Sequence, residues 1–287
     1  MKRRQFLEAT AASVLLAGCG GGGSNPPLSD YASLRVVTGD VYASDADGTL
    51  FRVRAATNTV ARLAANGTPA WTVGRRGTGP LEFDHPSDVA VDRLGRVLVL
   101  DRGNARVQIL DAATGQYRGA FGKPGRGPGQ LQLARHIAAG SDRVYVSDAF
   151  NFRVVVFDLD GRALATIGRQ GTGPGEFSLP RGVAVDRWGG LYVADGRRIQ
   201  RFAPDGRYEA RADGGNVASP RGLAIDADDQ LWVADGRARR VRVLTLQGGL
   251  VRSTATVLPG GAPAAPYDVA PVGSDVLVSA VADGLAK

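Results

Sequence analysis

Three arginines recur at the same place in a repeated sequence pattern, and arginine is a residue that binds anions. Arg135, Arg181 and Arg221 each stand just before a short apolar run, Tyr267 holds the same place in a later copy, and His136 follows Arg135 directly. The planar guanidinium group binds carboxylates and phosphates through two parallel hydrogen bonds. We therefore predict an anion-binding site formed by these five residues. The open alternative is that the arginines pair with nearby aspartates and only solvate the surface.

Catalytic chemistry has less support in the sequence. His136 is a candidate general base, but the sequence identifies no partner for it, and no local motif assembles a serine, a histidine and an aspartate. One cysteine, Cys19, and two histidines, His85 and His136, are too few for a thiolate zinc cluster or a three-histidine site. We predict no catalytic residues, no metal and no cofactor. Whether the protein is an enzyme stays open, and a non-enzymatic role is favoured.

Four aspartates occupy matching places in successive repeats, which raises the question of a metal-binding ring. Each is followed closely by an arginine, and this favours a repeated ion pair that fixes a turn. The expected pairs are Asp101 with Arg106, Asp148 with Arg153, Asp195 with Arg198, and Asp235 with Arg240.

The elements that carry these residues form an internal repeat with a period of about 40–50 residues. Its first apolar run recurs at residues 42–45, 89–92, 137–140, 183–186, 223–226 and 269–272. Two further β-rich runs, a hairpin signal such as Asp160-Gly161 and a fourth run follow in most copies. No segment shows a sustained helical period. Six sets of short strands predict an all-β, six-bladed β-propeller, in which the first strand of each blade lines a central channel.

The connectors between the repeats carry a more specific signal. The sequence from Gly168 to Phe177, followed by Pro180 to Asp186, resembles the NHL-repeat signature, and Gly74 to Pro86 resembles it again. The resemblance covers about residues 33–287 and implies a six-bladed propeller of NHL type. Two enzyme classes have a similar architecture. Propeller lactonases hold a metal in the channel with Glu and Asn, and amidating lyases hold a zinc ion with several histidines. This chain does not reproduce either ligand set.

The two ends of the propeller are predicted to meet in its last blade. The sixth copy has a first run near 267–272 and a second near 276–280, and little sequence follows. Residues 34–38 form a β-rich run ahead of the first copy. We expect this N-terminal run to complete the sixth blade as its outer strand, which gives a blade of three strands and removes an exposed edge.

Residues 1–18 resemble an export signal. Arg3 and Arg4 resemble the twin-arginine motif, and the apolar stretch that follows is shorter than the roughly 20 residues needed to span a membrane. The run that ends at Cys19 resembles the lipobox of bacterial lipoproteins, which implies lipidation of this cysteine. Residues 19–32, rich in Gly, Ser and Pro, are expected to be a flexible tether, followed by the propeller at 33–287.

The charge balance points to the class of partner. The chain has a net charge of +7 and a pI near 10.0, which suits an anionic ligand. We predict an extracytoplasmic binding or scaffold module, monomeric and held on a membrane only by its lipid anchor, on the periplasmic side of the outer membrane in a Gram-negative host. The expected partner is an anionic ligand, glycan, peptide or envelope protein, not a nucleic acid. The alternative is a propeller hydrolase or lyase with its site at the channel mouth.

Overall fold

The computed structural model describes residues 33–45, 47–272 and 275–282, and almost all regular structure in them is β-strand. Five blades are four-stranded antiparallel meanders that run from an inner strand to an outer strand. Their strands are Asp40–Ser44, Leu50–Arg54, Thr59–Leu63 and Pro69–Val73 in blade 1; Pro86–Val91, Arg96–Asp101, Arg106–Asp111 and Tyr117–Phe121 in blade 2; Ala134–Ala139, Arg143–Asp148, Arg153–Asp158 and Ala163–Ile167 in blade 3; Pro180–Val185, Leu191–Asp195, Arg198–Phe202 and Tyr208–Arg211 in blade 4; and Pro220–Ile225, Gln230–Asp235, Arg240–Thr245 and Leu250–Ala255 in blade 5.

Blade 6 has three strands, and the N-terminal end of the described chain supplies one of them. Ala264–Val272 is its inner strand, Asp275–Ala282 its second and Ser33–Thr38 its outermost. The last two pair in parallel, with Val36 opposite Val278. The parallel pairing follows from chain direction. Residues 33–38 lead directly into the inner strand of blade 1, as the fourth strand of a blade normally leads into the next blade, and they run in the same direction as such a strand. In blade 6 they pair with the second strand instead, in the position of a third strand, and this makes the pairing parallel.

Each blade is covered on both faces by its neighbours. The buried hydrophobic residues form six clusters, one at each blade interface, and the seam between blades 6 and 1 has the smallest of them. The second strand of blade 2 is therefore apolar on both sides, and Val97 to Leu100 are all fully buried. A single blade could not bury these faces, so closure of the ring supplies the core. The structure confirms the predicted six-bladed propeller.

The remaining regular elements are short and lie in the loops. They are the paired strands Arg75–Arg76 with Glu82–Phe83 and Lys123–Pro124 with Gln130–Leu131, and the 3-10 helix Ala149–Asn151. In the part of the chain that the structure describes, no helix is long and apolar enough to cross a membrane. The blade connectors and the loops between second and third strands share one end of the propeller, which we call the connector face.

Candidate functional site

A bulge at the start of five inner strands places the predicted site residues on the channel. The pairing with the second strand shifts register between Ala134 and Ile137 in blade 3, between Pro180 and Val183 in blade 4, and at matching places in blades 2, 5 and 6. A bulge releases residues from the ladder and redirects their side chains. The residues it releases include Arg135, His136, Arg181, Arg221 and Tyr267. The repeated bulge thus allows five consecutive blades, 2 to 6, to present a side chain at the channel mouth in the same way.

Arg135, Arg181 and Arg221 come together there, and Arg102 of blade 2 joins them. Burial lowers the pKa of Arg135 and so, next in size, do the charges of Arg102 and Arg221. Burial likewise lowers the pKa of Arg181, followed by the charges of Arg221 and Arg135. We call these four residues the arginine cluster.

The cluster has no counter-charge among the described residues. The Nε atoms of all four arginines are buried without a hydrogen-bond acceptor, and none of the four guanidinium groups forms an ion pair with a carboxylate in that part of the chain. Gly236 makes room for one of them, since a Cβ atom there would lie 2.6 Å from the Nε of Arg221. Buried guanidinium groups normally lie against acceptors. An anion at the channel mouth would supply them.

The sequence prediction did not include Arg102 in the site, although the repeat held a signal for it. Arg102 follows Asp101 directly, and the matching residues of blades 3, 4 and 5 are Ala149, Gly196 and Gly236. An arginine in a place where the other blades carry Ala or Gly has no role in the repeat itself.

His136 lies in a second layer of the channel, one residue further along the inner strands. Its Nδ1 atom is 3.1 Å from Oδ2 of Asp88 on the neighbouring blade, and the same oxygen accepts the main-chain N–H of Ile137 at 2.7 Å. Burial alone would lower the pKa of His136, but the charges of Asp88 and Asp268 outweigh it and raise the pKa to about 9. At neutral pH His136 is therefore a cation held by a carboxylate.

Asp268 stands on blade 6, opposite blade 3 in the ring. Its side chain is buried, and burial raises its pKa to about 7 although the charge of His136 acts the other way. Gly222 packs directly against it, since a Cβ atom there would lie 2.5 Å from Oδ1 of Asp268. Asp88, His136 and Asp268 thus form a buried charged layer below the arginine cluster, which we call the acid–histidine layer.

Tyr267, the fifth residue of the predicted site, has a different role. Its hydroxyl group donates a hydrogen bond to the main-chain oxygen of Asp40 at 3.1 Å, across the seam between blades 6 and 1. Burial raises its pKa above the usual value for tyrosine. The structure therefore places Tyr267 at the ring closure with its donor already in use.

The repeated aspartates fix the connectors. Asp101 is fully buried, accepts the N–H of Asp84 at 2.8 Å from the incoming connector, and accepts a hydrogen bond from Nε of Arg106 at 2.9 Å. The expected pairs also form in blades 3 and 4. In blade 5 the expected partner was wrong, because Arg242, not Arg240, contacts Asp235, at 2.9 Å.

Other arginines of the connector face are also neutralised locally. Nη2 of Arg75 lies 2.7 Å from Oε1 of Glu82, and Nη2 of Arg169 lies 3.0 Å from Oε1 of Glu176. Within the described residues, no group of three or more His, Cys, Asp and Glu side chains is arranged to hold a metal ion. Cys19, Arg3 and Arg4, the residues of the predicted anchor and export signal, lie outside the described residues.

Comparisons with known proteins agree with this architecture. The family model for the NHL repeat matches residues 83–110, and a model described as a 6-bladed beta-propeller matches residues 130–209. NHL repeat-containing protein 3 from Homo sapiens is 42% identical over 84 residues, which is 29% of this chain and 22% of that protein. The RING finger protein nhl-1 from Caenorhabditis elegans is 37% identical over 142 residues, 50% of this chain and 14% of that protein. The matches thus span a quarter or less of these relatives.

Solved structures share the fold at low sequence identity. Virginiamycin B lyase from Staphylococcus aureus superimposes with a TM-score of 0.57 at 13% identity, covering 84% of this chain and 77% of that one. A chain of a nidogen/laminin complex superimposes with a TM-score of 0.61 at 16% identity, covering 83% and 84%. The protein is a six-bladed β-propeller, and its residues 83–110 match the NHL repeat.

Proposed function

We propose that the protein is a binding module whose arginine cluster takes up an anionic group at the channel mouth. The observation that carries this proposal is the set of four half-buried guanidinium groups whose Nε atoms have no acceptor and whose charges have no counter-charge in the described chain. The ion pairs on the rest of the connector face make the cluster stand out. Its charge remains available, whereas the charge of Arg75 or Arg106 is already neutralised.

An anion at this place would relieve a real energetic cost. A buried polar group without a partner costs about 1–3 kcal/mol, and more when it is charged. A carboxylate or phosphate that accepts from two guanidinium groups removes that cost and gains charge-assisted hydrogen bonds. The proposal therefore explains why a propeller would keep four mutually repelling side chains together.

The N-terminal segment suggests where the module works. We propose that residues 1–18 direct export, that Cys19 is lipidated, and that residues 19–32 tether a monomeric propeller to the extracytoplasmic face of a membrane. This part of the proposal rests on the lipobox-like run and the paired arginines of the sequence. Metabolic labelling with an azide-bearing palmitate analogue tests it. Label in the wild type that disappears in Cys19→Ser supports the anchor, and unlabelled wild-type protein refutes it.

Calorimetric titration of anionic probes tests the binding function. Inorganic phosphate, succinate and a chondroitin sulfate oligosaccharide represent the candidate chemistries. Combined replacement of Arg135, Arg181 and Arg221 by Gln should weaken the best probe by more than about tenfold, since each charged hydrogen bond contributes about 1.5–3 kcal/mol. Arg75→Gln, on the same face but paired with Glu82, is the matched control and should change affinity less than about twofold. If the triple variant binds every detected probe as the wild type does, the site is not the arginine cluster.

A hydrolase or lyase at the channel mouth is the second candidate function. It is favoured by His136, which stands buried in the channel with Asp88 and is protonated at neutral pH, so it would act as a general acid. Virginiamycin B lyase and streptogramin B lyase share the propeller fold with this chain. Metal analysis of the purified protein and turnover assays on lactones and cyclic depsipeptides test this function. Turnover that is lost in His136→Gln would support it, and absence of turnover on every substrate would leave the binding module.

A further inference from the structure

Two large apolar side chains stand exposed beside the arginine cluster on the connector face. Leu133 is 45% exposed and lies two residues before Arg135, and Phe150 is 47% exposed in the loop after the second strand of blade 3. The main-chain N–H of Phe150 donates to the oxygen of Gln132 at 3.3 Å, so the two side chains belong to one local surface. The guanidinium carbon of Arg126 lies 5.8 Å from the centre of the Phe150 ring. We call Leu133, Phe150 and Arg126 the rim patch.

The repeat does not require these apolar side chains. The residue that matches Leu133 in blade 2 is His85, and both have the same left-handed backbone, with φ of 51° and 49°. The places that match Phe150 hold Gly103, Arg197 and Arg237 in blades 2, 4 and 5. The backbone at these positions is set by the propeller. Leu179 and Ser219 match Leu133 in blades 4 and 5, so among blades 2 to 5 only blade 3 has an apolar residue at both positions.

The rim patch and the arginine cluster are linked through the start of the inner strand of blade 3. Leu133 lies two residues before Arg135, and both are at the start of the inner strand of blade 3. An apolar surface beside a cluster of cations suits a partner that carries a negative group and an apolar group next to each other. The cation near the Phe150 ring adds further attraction for negative charge at the edge of the patch.

We infer that the arginine cluster and the rim patch together dock an acidic segment of another protein. An Asp or Glu carboxylate of the segment lies on the guanidinium groups of the cluster, and an aromatic or aliphatic side chain next to it packs on Leu133 and Phe150. This inference rests on the proposed binding function and names its partner class. Two half-exposed side chains match the size of one or two apolar residues of a polypeptide, whereas an acyl chain would need a longer apolar track. The guanidinium groups are half-buried around a channel, which favours an anion on a flexible side chain over the rigid backbone of a nucleic acid.

Short synthetic peptides on an array test the inference, with acidic and aromatic positions varied independently around Gly and Ser. Binding of the whole protein should require both an acidic residue and a neighbouring aromatic or aliphatic residue. The combined Leu133→Ser, Phe150→Ser variant should bind the best peptide about tenfold more weakly in solution, and it should still bind inorganic phosphate or succinate as the wild type does. Trp188→Ser is the control, because Trp188 is 62% exposed on the opposite face and should not affect peptide binding.

The outcomes separate the inference from the function on which it rests. Peptide binding that is unchanged in the Leu133 and Phe150 variant overturns the docking surface. So does a chondroitin sulfate or RNA probe that depends on Phe150 when no peptide does, because the partner would then belong to another class. If small anions bind through the arginines but no peptide binds, the inference fails and the proposed function stands. If nothing binds through the arginines, both fail.

Discussion

Replacement of Asp268 by Asn should remove a pH-dependent weakness of the fold. Asp268 is 5% exposed in the channel, and burial is the largest cause of the rise in its pKa from 3.8 to about 7. The positive charge of His136 lowers this pKa, and the negative charge of Asp88 raises it. In the unfolded chain the same carboxyl group ionises near its ordinary value. The folded protein therefore binds a proton that the unfolded chain has released between about pH 4 and pH 7.

The sign and size of the effect follow from linkage. Because the folded pKa is raised, stability is fully present below pH 3.8 and is lost as the pH rises through about 7. The rise corresponds to about 4 kcal/mol, at about 1.4 kcal/mol for each pKa unit. An asparagine at this place cannot ionise. Asp268→Asn should therefore match the wild type in acid and exceed it by up to about 4 kcal/mol at mildly alkaline pH.

Urea unfolding at a series of pH values, followed by tryptophan fluorescence, measures this difference. The charge of Asp268 contributes to the raised pKa of His136, so the two proteins are compared from about pH 4 to pH 6.5, where His136 is protonated in the folded and the unfolded chain alike. Asp111→Asn is the control. Asp111 is an exposed carboxylate whose pKa is held at about 2 by Arg118 and the loop around it, so its contribution changes only in stronger acid. Wild-type and Asp268→Asn curves that stay parallel from about pH 4 to pH 6.5 would refute the reasoning.

Three further substitutions, one of them with a control, probe the channel and the closure of the ring. Asp88→Ala should destabilise the fold by about 3–5 kcal/mol, because it leaves a buried cation unpaired, and NMR titration should find the pKa of His136 lowered. Gly182→Ala should destabilise strongly in thermal unfolding, since its Cβ would overlap the main-chain oxygen of Arg221, while Gly249→Ala, with a side-chain hydroxyl as its nearest neighbour, should cost little. Val36→Pro should lower stability by about 1–3 kcal/mol in urea unfolding, because proline has no main-chain N–H and disturbs the strand that closes the ring.

The sequence was sufficient to predict the fold because the same pattern of turn signals and apolar runs recurs in six copies. Turn signals such as Asp160-Gly161, apolar runs of strand length and the absence of a helical period all indicate meanders, and a blade with two apolar faces requires neighbours. The position of Ser33–Thr38 followed from the shortage of strands at the other end. Its parallel pairing was a consequence of chain direction that the prediction did not draw.

The site was predictable to the extent that the repeat aligned residues, and no further. Alignment placed Arg135, Arg181 and Arg221 at one level of the channel, and the structure brings them together. Alignment also put Asp88, His136 and Asp268 at the same position of three different blades. That they come close together follows only when the blades are arranged in a closed ring. The partner of Asp235 shows a different limit. Arg240 and Arg242 stand on the same side of one strand because side chains alternate, and spacing alone cannot decide which of them reaches the carboxylate.

The two layers of the channel are expected to act on each other. They lie on consecutive residues of the bulged inner strands, whose Cα atoms are about 3.8 Å apart. A negative ligand on the arginine cluster would therefore raise the pKa of Asp268, which already lies near 7, and would favour the cationic form of His136. Since linkage is reciprocal, protonation of Asp268 must strengthen binding of the anion by the same factor. Affinity for the best anionic probe should then fall as the pH rises through about 7, and titration calorimetry in buffers of different ionisation enthalpy should detect proton uptake. In Asp268→Asn the proton uptake near pH 7 should disappear while binding remains, and uptake that persists in this variant would place the titrating group elsewhere.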